Sequence, residues 1–212
     1  MTRFATRPAL AATLAFCAAA ALAPAHADTL LKTDASWKVT TGAPAAGWNT
    51  ALAFDDTAWQ SATPLYDVSD YLGPSYTAQG IWSSGGQFSS TETALWARQV
   101  WTLAAMPASA ALEGGFDDDV DLWINGTLVL SDHNGVANAV GVADLLPYLQ
   151  VGQNLIAFAA TDNYPVYGYN HAAWLQVDGT VAAPVPEPAT VALMLAGLGA
   201  TAFVSRRRKN GR

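Results

Sequence analysis

Two stretches of this 212-residue chain concentrate side chains able to hold a sugar. Asp162, Asn163, Tyr164, Tyr167, Tyr169, Asn170 and His171 all fall between Thr161 and Ala172. A pyranose has apolar C–H faces and hydroxyl edges, so flat rings beside amides and a carboxylate suit both surfaces. Tyrosine offers such contact with few torsions to freeze. Trp82 is the second candidate platform, in a Tyr-, Ser- and Gly-rich stretch from Tyr66 to Thr93 that also holds Tyr71 and Tyr76. The competing reading is a pair of Gly-Ser loops whose rings tuck back onto a core. A third stretch, Asp117-Asp118-Asp119-Val120-Asp121, raises the question of calcium, with Asp117, Asp119 and Asp121 as oxygen donors. An EF-hand loop counted from Asp117 needs Gly and Glu where Leu122 and Leu128 stand. A calcium site assembled from separate loops stays open, because the ion accepts oxygens in flexible geometry. The alternative is aspartates that accept backbone amides in turns. No cofactor is required on either reading.

Catalytic constellations are poorly represented. Between residues 28 and 183 the imidazoles are His133 and His171, and the chain's one cysteine, Cys17, lies before that span. No G-x-S-x-G elbow or comparable nucleophile context occurs. Two distant histidines are a weak basis for zinc, which takes three or four ligands. A paired-carboxylate glycosidase site depends on a separation that sequence cannot test. The expectation is a protein without a catalytic site. Arg98, the one arginine between 28 and 183, falls in a strand-like run and is expected to be a buried ion-pair partner.

The elements that must carry these groups read as strands. Short β-rich runs alternate with Gly, Pro, Asn, Asp and Ser clusters, and no stretch sustains a helical period. Leu95 to Leu103 reads as a long strand. Val120, Leu122 and Ile124 alternate with Asp119, Asp121 and Trp123. Asn125-Gly126 then predicts a type I′ hairpin returning through Thr127 to Leu130, which also explains the Asn-Gly-Thr sequon. Leu155 to Ala160 is continuously apolar, as for a strand buried on both faces. Ala173 to Asp178 alternates, with Leu175 and Val177 inward. The fold class expected is all-β, an antiparallel sandwich.

The two ends carry addresses. Arg3 and Arg7, an apolar run from Ala9 to Ala23 and Ala25-His26-Ala27 form the three parts of a signal peptide over 1–27. Near the other end an uncharged apolar run, about 189–204, is followed by Arg206, Arg207, Arg208 and Lys209. The positive-inside rule keeps that cluster in the cytoplasm and puts the preceding chain outside. One domain is expected between them, over 28–183. It keeps Lys32, Lys38 and Arg98 against sixteen acids, a net charge of −13. Such a surface excludes nucleic acid, which needs a basic footprint, and repels anionic lipid.

Two resemblances follow from these residues. Pro186-Glu187-Pro188, the short apolar run and the arginine cluster resemble the PEP-CTERM sorting signal of Gram-negative bacteria, over 184–212. The resemblance implies exosortase as partner and a link to envelope and extracellular-polysaccharide systems. It also implies membrane attachment through the C-terminal helix before processing, facing the periplasm or cell surface, with release or transfer afterwards. Within the domain, "WNTALAFDDTAWQSATP" from Trp48, "WARQVW" from Trp96, "FDDDVDLWING" from Phe116 and "LLPYLQVGQNLIAF" from Leu145 occur in that order. The set is similar to the galactose-binding-like jelly roll, the accessory sugar-binding domain of many large glycoside hydrolases. It implies an antiparallel jelly-roll β-sandwich of about eight strands and does not fix a function; with the aromatic stretches, the reading is a protein that binds polysaccharide or serves as a matrix component. The alternatives are a structural or adhesive surface protein, with or without calcium, and a glycoside hydrolase.

Overall fold

A computed structural model describes residues 26–85, 91–164, 171–181 and 194–199. The chain is an all-β sandwich of two antiparallel six-stranded sheets. The first sheet contains β1 (His26–Lys32), β4 (Thr63–Asp67), β5 (Gln79–Trp82), β7 (Ser109–Phe116), β10 (Asn138–Val142) and β12 (Ala173–Val181). Its order is β10-β7-β12-β5-β4, with β1 also paired to β12. The second is ordered β3-β2-β6-β11-β8-β9, from β2 (Lys38–Thr40), β3 (Gln60–Ser61), β6 (Ala94–Leu103), β8 (Asp119–Ile124), β9 (Thr127–Asp132) and β11 (Gly152–Thr161).

Alternation decides which side chains meet between the sheets. Leu95, Ala97, Trp101 and Leu103 of β6 turn inward, as do Val120, Leu122 and Ile124 of β8. The Phe158 ring on β11 packs against Trp37 at 5.4 Å and Phe116 at 5.3 Å, joining the layers. The hairpin forms where the sequence predicts it, with φ of +50° at Asn125 and +83° at Gly126. Its asparagine is a hub: Oδ1 accepts the Leu155 amide at 2.9 Å, while Nδ2 donates to the Tyr148 carbonyl at 2.8 Å.

Both outer faces are partly covered, which is why some strands lack an exposed side. On the second sheet, Arg98 points outward yet is 2% exposed. Its guanidinium donates to the carbonyls of Trp48 at 3.0 Å and Ala51 at 2.9 Å, pairs with the Asp56 carboxylate and lies over the Phe54 ring. These bonds hold the segment between β2 and β3 over the sheet, and Trp48 meets Trp123 edge-to-face at 5.4 Å. The expected structural ion pair is therefore also a clamp on a surface segment.

On the first sheet, the stretch between β4 and β6 is more ordered than a long loop. It contains a helical turn, α1 (Ser69–Leu72), and the strand β5. The segment before β5 covers β12. Gln176 is buried there, its Oε1 accepting the amides of Thr77 at 2.7 Å and Ala78 at 3.2 Å. Trp174 packs edge-to-face with Tyr76 at 5.7 Å. The alternation expected for 173–178 thus gives way to burial on both faces. Residues 194–199 are helical. Among the described residues no helix is long and apolar enough to cross a membrane, and the rest of the 189–204 run lies outside them.

Candidate functional site

The outer face of the first sheet carries an aromatic layer seated on glycines. A Cβ at Gly80 would lie 2.4 Å from Cζ of Tyr66, and one at Gly115 would lie 2.3 Å from Nε1 of Trp174. Only bare backbone lets these rings lie so close to the strands. Tyr71, at the end of α1, meets Tyr66 edge-to-face at 5.3 Å and is 74% exposed.

These rings border a groove of about 660 Å³ at the end of the sheet where β7 finishes and β12 begins. Tyr66, Tyr71, Trp174 and Phe116 supply its apolar surface, and Asp117 and Asn138 are its polar members. Asp117 is the only carboxyl among the described residues that line it, and no Lys, Arg or His lines it.

The carboxyl of Asp117 is unusual. Burial is the main cause that pushes it up to about 6; the Asp162 and Asp118 carboxyls add to this, and His171 opposes it. Behind it lies a buried pair in which His171 Nδ1 meets the Asp162 carboxylate. The other oxygen of Asp162 accepts the Tyr164 amide at 2.7 Å, and the backbone amide of Asp162 donates to the Thr93 carbonyl at 2.9 Å. Burial also raises the Tyr66 phenol, with smaller contributions from Tyr71 and Asp117.

Several sequence expectations are relocated by this geometry. Trp82 is wholly buried at the end of β5, within the main hydrophobic cluster, and its ring stands 5.2 Å from that of His171. It is core rather than a sugar platform. His171 and Asp162, 1% and 7% exposed, anchor the base of the 161–172 segment and do not face solvent. Asn163 is a bridge: its amide donates to Asp118 at 2.9 Å and its side chain to Asp119 at 2.7 Å. Tyr164 is exposed. Tyr167, Tyr169 and Asn170 lie outside the described residues.

Of the three calcium donors, Asp119 and Asp121 stand together beside His133. Asp119 accepts the Gly135 amide at 2.9 Å as well as Asn163, which lowers its pKa, and Asp121 lies 3.1 Å from His133 Nε2. The hydrogen bond to Asp121 is the main cause that raises the His133 pKa. Asp117 turns to the groove instead. Among the described residues no group of three His, Cys, Asp or Glu side chains could hold a metal ion. Asp118 and Asp119 accept the backbone amides of Asn163 and Gly135.

Sequence reasoning missed Tyr66, Trp174 and Asn138 as lining residues. The signal available was weak: each ring rests on a glycine of another strand, Gly80 or Gly115, far from it along the chain.

Comparison with known proteins adds the following. No curated protein matches the chain. Similar solved structures include a β-glycosidase from Bacteroides vulgatus, 19% identical over 72% of this chain and 20% of that one, with a TM-score of 0.47. A β-glucuronidase from Bacteroides uniformis is 18% identical over 72% of this chain and 18% of its own, TM-score 0.48. A glycosyl hydrolase family 2 member from Bacteroides cellulosilyticus is 19% identical over 71% and 20%, TM-score 0.46. The chain therefore spans about a fifth of the length of the first of these structures. The PEP-CTERM protein-sorting motif matches residues 184–209, which include Pro186, Glu187, Pro188 and the arginines at 206–208. The chain thus carries a PEP-CTERM protein-sorting motif and is an exported, envelope-sorted protein.

Proposed function

We propose that the sandwich binds carbohydrate in the groove bordered by Tyr66, Tyr71 and Trp174, without cleaving it. One observation carries the reading: rings seated on glycine backbones stand beside a carboxyl and an amide in an open groove. Such rings accept the C–H face of a pyranose, and Asp117 takes its hydroxyls. A single carboxyl supports binding over hydrolysis, because paired-acid hydrolysis needs a second acid across the scissile bond. On this reading residues 1–27 are removed on export, exosortase processes the tail, and the groove engages envelope or matrix polysaccharide.

Tyr71 offers the cleanest test because it is 74% exposed. A glycan array with the full chain in mild detergent identifies the ligand, and calorimetry measures it. Tyr71→Ala should weaken binding by about 1–3 kcal/mol, as for an anchor at a contact, with unchanged melting. Equal affinity for the variant and the parent would refute the groove as the site.

A further inference from the structure

The charges around the groove restrict the sugars it can take. Among the described residues that line it, Asp117 is the one carboxyl and none is basic. The stretches 86–90 and 165–170, Gly-Gln-Phe-Ser-Ser and Pro-Val-Tyr-Gly-Tyr-Asn, contain no Lys, Arg or His. The basic residues of the domain stand on other elements. Arg98 is buried with Asp56 on the other sheet, Lys38 lies on β2 of that same sheet, and Lys32 lies on β1. His171, behind the groove, already meets Asp162. A uronate carboxylate entering the groove would face Asp117 with no lining cation to compensate it, in a domain of net charge −13. A neutral sugar gains the rings alone. A sugar bearing a protonated amine gains both: an ammonium is drawn to the faces of Trp and Tyr and forms a charge-assisted hydrogen bond with a carboxylate.

Resting on the carbohydrate reading of this groove, we infer that its preferred ligand is an amino sugar with a free, protonated amine, held between Asp117 and the rings of Tyr66 and Tyr71.

The probes are three short oligosaccharides titrated into the full chain in mild detergent: β-1,4-linked glucosamine, its N-acetylated counterpart and galacturonic acid. The first two share a backbone and differ in charge. At pH 7 and low salt the glucosamine oligomer should bind about tenfold tighter than the N-acetylated one, the scale of one charge-assisted hydrogen bond, and the galacturonate should not bind. High salt should shrink the difference. Asp117→Asn should reduce it to about twofold or less while sparing the neutral oligomer, since only the charge is lost. Equal binding of the amine and N-acetyl forms overturns the amine preference and leaves the carbohydrate reading standing. Failure of all three together with an empty glycan array overturns the carbohydrate reading itself. Should Asp117→Asn not fold, Tyr71→Ala decides: glucosamine affinity must fall with the ring. If it does not, the amine is held by the general acidic surface and the inference fails.

Discussion

Arg98→Met tests whether one guanidinium holds the outer segment of the second sheet. The residue is 2% exposed, and its fork serves two carbonyls at 2.9–3.0 Å together with Asp56. Removing one partner of a buried ion pair costs about 3–5 kcal/mol. Asp56 is 27% exposed and can recover part of its hydration, which favours the lower end. The carbonyls of Trp48 and Ala51 lose their donor, each costing about 1–3 kcal/mol if it stays dry. They can rewet only if the segment lifts, which forfeits the packing of Trp48 on Trp123. These costs are alternatives more than additions, so the expected loss is about 3–5 kcal/mol. Urea unfolding of the full chain, followed by tryptophan fluorescence, measures it. Limited proteolysis should show new cleavage between residues 43 and 59. Arg98→Lys should recover less than half, because an ammonium cannot reproduce the planar fork. A loss below about 1 kcal/mol with the segment still protected, or full recovery by lysine, would refute the clamp.

Two further outcomes follow from the hairpin and the groove. Gly126→Val should destabilise by about 1–3 kcal/mol, since φ is +83° there and a Cβ would stand 3.2 Å from Thr50 Cγ2; an unchanged melting temperature would contradict the turn geometry. Asp117 has a folded-state pKa of about 6 against an ordinary 3.8, so the folded state holds its proton more tightly than the unfolded state. Its contribution to stability is complete below about 3.8 and is lost as the pH rises through about 6. Asp117→Asn should therefore melt higher than the parent at pH 7, with the gap closing as the pH falls toward 4. A gap that widens on acidification would show that the carboxylate is stabilised when ionised.

What could be read along the chain was local. The period-two pattern of 120–124, the Asn-Gly turn and the apolar run of 155–160 each state their own structure within a few residues, and all three form as written. Arg98 was legible because a lone guanidinium in a strand needs a carboxylate. The misreadings share a different cause. Trp82 and His171 resemble surface aromatic and polar residues by type, yet the tryptophan is buried at the end of β5 beside His171, and Asp162 partners the imidazole. Trp174 and Gln176 lose solvent to a segment almost 100 residues earlier, as the hydrogen bond from Ala78 across 98 positions shows. The groove depends on ring-on-glycine contacts between separate strands, a pairing that no single stretch encodes.

The pairing of β1 with β12 sets His26 beside Val181, so both ends of the sandwich chain leave from one corner. The groove includes Trp174, at the opposite end of the same strand. Seven residues of β strand at about 3.3 Å each separate the two by roughly 23 Å. The groove therefore lies at the end of β12 away from residue 181, from which the chain continues toward the sorting motif. On the proposed carbohydrate reading β12 would serve as a standoff: a polymer in the groove would be kept clear of residue 181, and a pull on it would load β12 along its length, between β1 and β7.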